Sequence, residues 1–226
     1  MAEQLGLDLP SRTALGRDAF FVSPANAVAL AMIDGWRDWA GGKLVLCGPE
    51  GAGKTHLTHV WADMSEAQIV NAADLRGADV PSLAQSHVAV EDVPKIAGQA
   101  DAETALFHLH NLTLAEGHRM LFTGTGPVQR WGLNLPDLNS RLQGTTAATL
   151  EAPDDALLSA LLVKLLADRQ LTPKADLIPY LLTRMDRSFA AAIDLVAQLD
   201  TASLALKRPI TRPLAAAVLD KPPPDT

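Results

Sequence analysis

The stretch "LVLCGPEGAGKTHL", residues 44–57, decides the fold. Leu44, Val45, Leu46 and Cys47 form an unbroken apolar run, the pattern of a strand covered on both faces. Gly48-Pro49-Glu50-Gly51-Ala52-Gly53-Lys54-Thr55 then matches G-x-x-x-x-G-K-[ST], and Thr55-His56-Leu57 opens a helical pattern. Glycines at these places let the backbone curl round a polyphosphate with its N–H groups turned inward. Lys54 is suited to neutralising the β- and γ-phosphates and Thr55 to binding Mg²⁺. The positive end of the following helix adds to the same site.

Such a loop needs carboxylates on a neighbouring strand. "HVAVEDV" (87–93) supplies them, because Val88, Ala89 and Val90 run into Glu91 and Asp92. One carboxylate would hold the metal through water and the other would orient or activate an attacking water. Four more runs read as strands: "KLVLCG" (43–48), "AQIVNA" (67–72), "RMLFTGT" (119–125) and "TAATLEA" (146–152). Helical patterns separate them, so the spacing predicts a five-stranded parallel sheet with helices on both faces.

After Pro153 the pattern turns wholly helical. Leu157, Leu158, Leu161, Leu162, Leu165 and Leu166 share one face behind a cap at Asp154 or Asp155. A second helix carries Phe189, Ile193, Val196 and Leu199 behind Ser188, and Thr211 with Pro213 starts a short last one. The expected organisation is a leader over 1–14, an α/β domain over 15–153, a helical domain over 154–220 and a disordered tail over 221–226.

Composition narrows the function classes. The chain has 226 residues, 48% hydrophobic and 20% charged, enough for a sizeable core without staples. Cys47 is the only cysteine, which excludes an internal disulfide and suits a reducing, cytoplasmic setting. No targeting segment is expected, and no run approaches 18 uninterrupted apolar residues. A net charge of −7 argues against direct, non-specific nucleic-acid binding. His56 and His59, or His108 and His110, lack the partners of a zinc pattern. Trp36, Trp39, Trp61 and Trp131 are scattered and read as packing rather than as a stacking platform.

Four segments, in order along the chain, resemble the DnaA-related AAA+ ATPase family. They are "FFVSPANAVALAMI" (20–33), "GPEGAGKTHLTHVWAD" (48–63), "LNSRLQG" (138–144) and "RMDRSFAAAIDLVAQLDTASL" (184–204). The resemblance spans residues 18 to about 219 and is nearest to the family's Hda-type regulatory inactivators of the initiator. It implies that the helical domain is a lid and that ADP or ATP with Mg²⁺ occupies the loop. In that reading Gly48 to Thr55 and His56 surround the phosphates, and Phe20, Phe21, Val22 and Asn26 lie near adenine. Glu91 takes the metal side and Asp92 the catalytic side, an order reversed from the commoner Asp-Glu. Thr123 or Thr125 is the first sensor, Arg187 the second, and Arg141 an arginine finger acting on a neighbour's nucleotide.

The resemblance also implies partners. Gln4, Leu5, Leu7 and Leu9 of "QLGLDLP" (4–10) fit the peptide with which such regulators dock on the DNA sliding clamp, its β subunit. The chain ends where the initiator continues into a DNA-binding domain, so DNA would be reached only through the clamp. No membrane partner is implied, and whether the neighbour is DnaA or a second copy is open. The expected function is clamp-docked stimulation of ATP hydrolysis on DnaA, which prevents re-initiation, with weak hydrolysis by the chain itself. The alternatives are a self-sufficient P-loop ATPase such as a helicase loader, an initiator variant, or a small-molecule kinase.

Overall fold

A computed structural model describes residues 22–206 and 208–220. Five parallel strands form the sheet: β1 (Lys43–Gly48), β2 (Gln68–Asn71), β3 (Val88–Glu91), β4 (Met120–Thr125) and β5 (Ala147–Thr149). Their order is β2-β3-β4-β1-β5, which buries β1 between β4 and β5. Leu44, Val45 and Leu46 are fully buried, as the unbroken apolar run requires. The expected strands are all present and one or more residues shorter at most ends, where pairing stops before the apolar pattern does.

Helices α1 (Ala27–Asp34) and α2 (Lys54–Ser65) contribute to one layer, and α3 (Val80–Leu83), α4 (Ala100–Ala115) and α5 (Pro136–Gln143) to the other. Each layer buries its own cluster. Trp36, Trp39 and Trp61 fill the first, with Trp39 stacked on Trp61 at 5.2 Å between ring centres. Phe122, Leu106, Leu109 and Trp131 fill the second. The tryptophans therefore pack, as expected, and Cys47 is buried in the sheet on the side of the second cluster.

The C-terminal helices α6 (Asp155–Asp168), α7 (Leu177–Leu182), α8 (Phe189–Leu206) and α9 (Arg212–Leu219) enclose a third cluster. Asp154 caps α6, its Oδ1 accepting from the Leu157 N–H at 2.7 Å. Ser188 caps α8, its Oγ accepting from the Ala191 N–H at 3.0 Å. Helix α7 carries no clear sequence signal because Pro179 interrupts it; the proline falls in the first turn, where its missing N–H is no loss. Among the described helices α8 alone is long and apolar enough to cross a membrane. Its apolar face, Ala192, Leu195, Val196 and Leu199, is buried in the lid cluster.

A polar contact set ties α4 to the start of β1. Lys43 Nζ lies 3.1 Å from His110 Nε2, and an ammonium can only donate, so Nε2 accepts. The ring proton is then on Nδ1, which donates to Asn111 Oδ1 at 3.2 Å. Burial pushes the His110 pKa down to about 4; the hydrogen bond with Asn111 opposes it next, and the charges of Lys43 and Arg141 add smaller downward pushes. Because the unfolded histidine titrates near 6.5, the unfolded chain takes up this proton first as pH falls. The contribution of His110 to stability is complete above about pH 6.5 and is lost as pH falls toward 4, a swing on the order of 3 kcal/mol. His110→Gln, which keeps an acceptor for Lys43, is expected to flatten the fall in denaturation midpoint across that interval relative to the unsubstituted chain.

Candidate functional site

The loop between β1 and α2 is shaped by its glycines and by the lid. Gly51 has φ +69° and Gly53 φ +94°, the left-handed region that side chains disfavour. Gly51 has no room for a side chain either, and Gly53 little. A Cβ on Gly51 would fall 2.2 Å from Ser188 Cβ, and one on Gly53 would lie 3.2 Å from the Phe189 ring. The Phe189 N–H also donates to the Gly51 carbonyl at 3.1 Å. The N-terminal end of α8 thus rests directly on the loop, a contact that no residue pattern foretold.

Lys54 is buried and donates to the carbonyls of Gly48 at 3.0 Å and Pro49 at 2.7 Å. Burial lowers its pKa, opposed by the charges of Asp92, Glu50, Cys47 and Glu91. Two of those charges sit at the end of β3. Glu91 Oε1 is buried with no hydrogen-bond partner, so it retains full capacity to accept from metal-bound water. Thr55 is exposed on the first turn of α2 at the same edge of the sheet. An oxygen-only set of this kind, a half-buried carboxylate with one buried oxygen and an exposed hydroxyl, fits Mg²⁺ beside a phosphate.

Asp92 is arranged differently from Glu91. Its backbone is left-handed, φ +57°, and its N–H donates to Thr123 Oγ1 at 3.1 Å. Its carboxylate accepts from Lys95 Nζ at 2.8 Å and from Asn71 Nδ2 at 3.5 Å. Thr123 is accordingly buried in β4 and supports the acidic turn, whereas Thr125 is exposed at the strand's end, in register with Gly48. Of the two sensor candidates, only Thr125 reaches the mouth of the loop. It also lines a cavity of about 450 Å³ with Gly48, Pro49 and Gln143.

The remaining candidates fall around this edge or away from it. Asn26 is buried and accepts from the Ser23 N–H at 2.9 Å, fixing the turn before α1, and Val22 is exposed. His56 is half-buried; burial lowers its pKa, as do the charges of Lys164 on α6 and of His59. Arg187 immediately precedes the cap of α8 and pairs with Asp155 Oδ1 at 2.8 Å, at the start of α6. What touches the loop is its neighbours Ser188 and Phe189. Gln4, Leu5, Leu7, Leu9, Phe20 and Phe21 lie outside the described residues.

Arg141 is exposed on the last turn of α5, whose final residue, Gln143, lines the cavity beside Gly48 and Pro49. Its carbonyl accepts from Lys43 Nζ at 3.3 Å, and Lys43 is the first residue of β1, whereas the loop follows the last. The strand puts about 16 Å between those ends. The Arg141 guanidinium lies over the Phe107 ring at 5.2 Å, and among the described residues it makes no ion pair.

Comparisons with known proteins bear on the fold that carries these residues. Residues 154–219 match the family model described as Hda, lid domain. Domain III of the replication initiation protein DnaA from Thermotoga maritima is 18% identical, with 93% of this chain and 98% of that one covered and a TM-score of 0.81. AMPPCP-bound DnaA from Aquifex aeolicus is 19% identical over 80% of this chain and 63% of its own, with a TM-score of 0.68. A single-substitution variant of RuvB from Thermotoga maritima is 16% identical over 88% and 70%, also with a TM-score of 0.68. Identities this low speak to the fold, which is that of the AAA+ module.

Gly51→Ala is expected to destabilise the chain by more than about 1 kcal/mol, from left-handed strain plus the clash with Ser188. Adding Ser188→Gly removes the clashing Cβ at the cost of the α8 cap, so the denaturation midpoint should return only in part, and by less than the full clash component.

Proposed function

From a DnaA-related AAA+ fold carrying an Hda-family lid, we propose that this chain is a regulator of replication initiation. It binds an adenine nucleotide and, docked on the sliding clamp, promotes hydrolysis of ATP held by DnaA. The observation that carries this reading is the separation of the two cationic residues along β1. Lys54 follows the strand's C-terminal end, and Arg141 is tied to its N-terminal end through Lys43. A guanidinium whose helix is tied to the opposite end of the strand from the chain's own Lys54, and which lies against Phe107, is of use to a nucleotide bound by a neighbour. There its fixed charge offsets the charge that develops on the transferred phosphoryl group.

The chain's own site is suited to holding nucleotide. The backbone N–H groups of the loop and Lys54 would cradle the phosphates; Thr55 and Glu91 would hold Mg²⁺, which screens phosphate charge when bound. Solved relatives of the same fold are bound to AMPPCP and to ADP, which supports the ligand class. Asp92, in the position to activate water, is already engaged by Lys95 and Asn71, which supports weak hydrolysis by the chain alone. Thr125 is the better placed first sensor, and Arg187 could act as the second on leaving Asp155, a surface pair of little stability. The clamp contact rests on the sequence of residues 4–9, where Gln4, Leu5, Leu7 and Leu9 offer alternate side chains to a partner's pockets.

Arg141→Ala is expected to leave nucleotide affinity unchanged and to cut stimulation of DnaA-bound ATP hydrolysis by about a hundredfold or more. Undiminished stimulation, or fast multiple turnover of ATP by the isolated chain, would return the reading to a self-sufficient ATPase. A chain with Gln4 and Leu5 both changed to Ala should lose binding to immobilised clamp at an unchanged melting temperature; retained binding removes the leader from the reading.

A further inference from the structure

Arg141 is a long, exposed side chain, and a finger left to sample its rotamers would lose much of its effect on a neighbour's phosphate. The structure holds it from two sides, and both supports come from one face of α4. At the first support Glu103, buried and only 1% exposed, accepts three backbone N–H groups. Its Oε1 takes those of Gly98 at 2.7 Å and Asn134 at 3.1 Å, and its Oε2 takes that of Leu135 at 2.6 Å. Leu135 is the residue before α5 begins, so a buried carboxylate fixes where the helix carrying Arg141 starts. One helical turn later, at the i+4 position, Phe107 lies under the Arg141 guanidinium with 5.2 Å from ring centre to Cζ. At the far end of α5 the Arg141 carbonyl accepts from Thr145 Oγ1 at 2.7 Å and from Lys43 Nζ at 3.3 Å.

We propose that Phe107 is a positioning residue for Arg141: its ring face holds the guanidinium outward while Glu103 holds the helix. The inference rests on the reading of Arg141 as a finger acting on a neighbour. Phe107 is half-buried and the guanidinium makes no ion pair among the described residues, so the ring is the contact that orients it. The ring's quadrupole supplies what an aliphatic side chain of similar size lacks.

The test measures stimulation of ATP hydrolysis on ATP-loaded DnaA, with clamp on DNA, as a function of concentration of the full chain. Phe107→Leu keeps apolar volume and removes the ring; Phe107→Tyr keeps the ring; Arg141→Ala is the reference. The expected result is a roughly two- to fivefold lower maximal rate for Phe107→Leu at an unchanged half-maximal concentration, with Phe107→Tyr restored to the original rate. Phe107→Met stands in for the leucine variant if that one melts early. A leucine variant with the original maximal rate overturns the inference, and so does one whose only defect is a raised half-maximal concentration, the sign of a docking role. A tyrosine variant as slow as the leucine one, with both folded, also overturns it. Arg141→Ala at full rate would instead bring down the finger reading itself, so the two failures are distinct.

Discussion

A buried ammonium has to be satisfied by oxygen, and much of this structure follows from where Lys54 finds it. The carbonyls of Gly48 and Pro49 take two of its three hydrogen-bond donors, which ties the side chain to the end of the strand that precedes it. That strand must then be central and rigid. It is, with β4 on one side and β5 on the other, so Thr125 is delivered directly opposite Gly48. The carboxylates at the end of β3, two strands away, counter the loss of hydration at Lys54. The lid closes on the same loop through Phe189 and Ser188, and the glycines of the loop are the residues that permit so close an approach.

The sheet and the loop were legible in the sequence because both are governed by local rules. An unbroken apolar run reads as a strand covered on two faces, and G-x-x-x-x-G-K-T placed between such a strand and a helical pattern reads as a phosphate loop. The caps at Asp154 and Ser188 were legible for the same reason. Helix α7 was not, since a proline inside "LIPYLL" hides a helix unless its position in the first turn is known. The choice between Thr123 and Thr125 was closed to sequence as well. Both end an apolar run, and only the positive φ at Asp92 brings its N–H to the first of them.

The supports of Arg141 had no sequence signature at all. Glu103 lies in "DAETALFHLH", where an acid in the first turn of a helix reads as a solvated residue favouring the positive helix end. Two of the three backbone N–H groups that hold it come from chain more than 30 residues away. Phe107 likewise reads as core by spacing, and it does pack on the core. The same ring also meets a guanidinium that the pattern could not assign to it. Pattern reading sees what a residue contributes to its own element and misses what it offers to another.

The opposed placement of the phosphate loop and Arg141 along β1 has a consequence for symmetry. Two copies related by a twofold axis present the same patch to each other, so neither patch can be both giver and receiver in a self-complementary contact of this kind. A contact in which one chain's Arg141 meets the next chain's loop is head-to-tail and polar. It leaves an unused loop at one end of the row and an unused arginine at the other. A chain of this fold joined to a row of related proteins therefore ends the row differently at its two ends, and direction of addition becomes part of its chemistry.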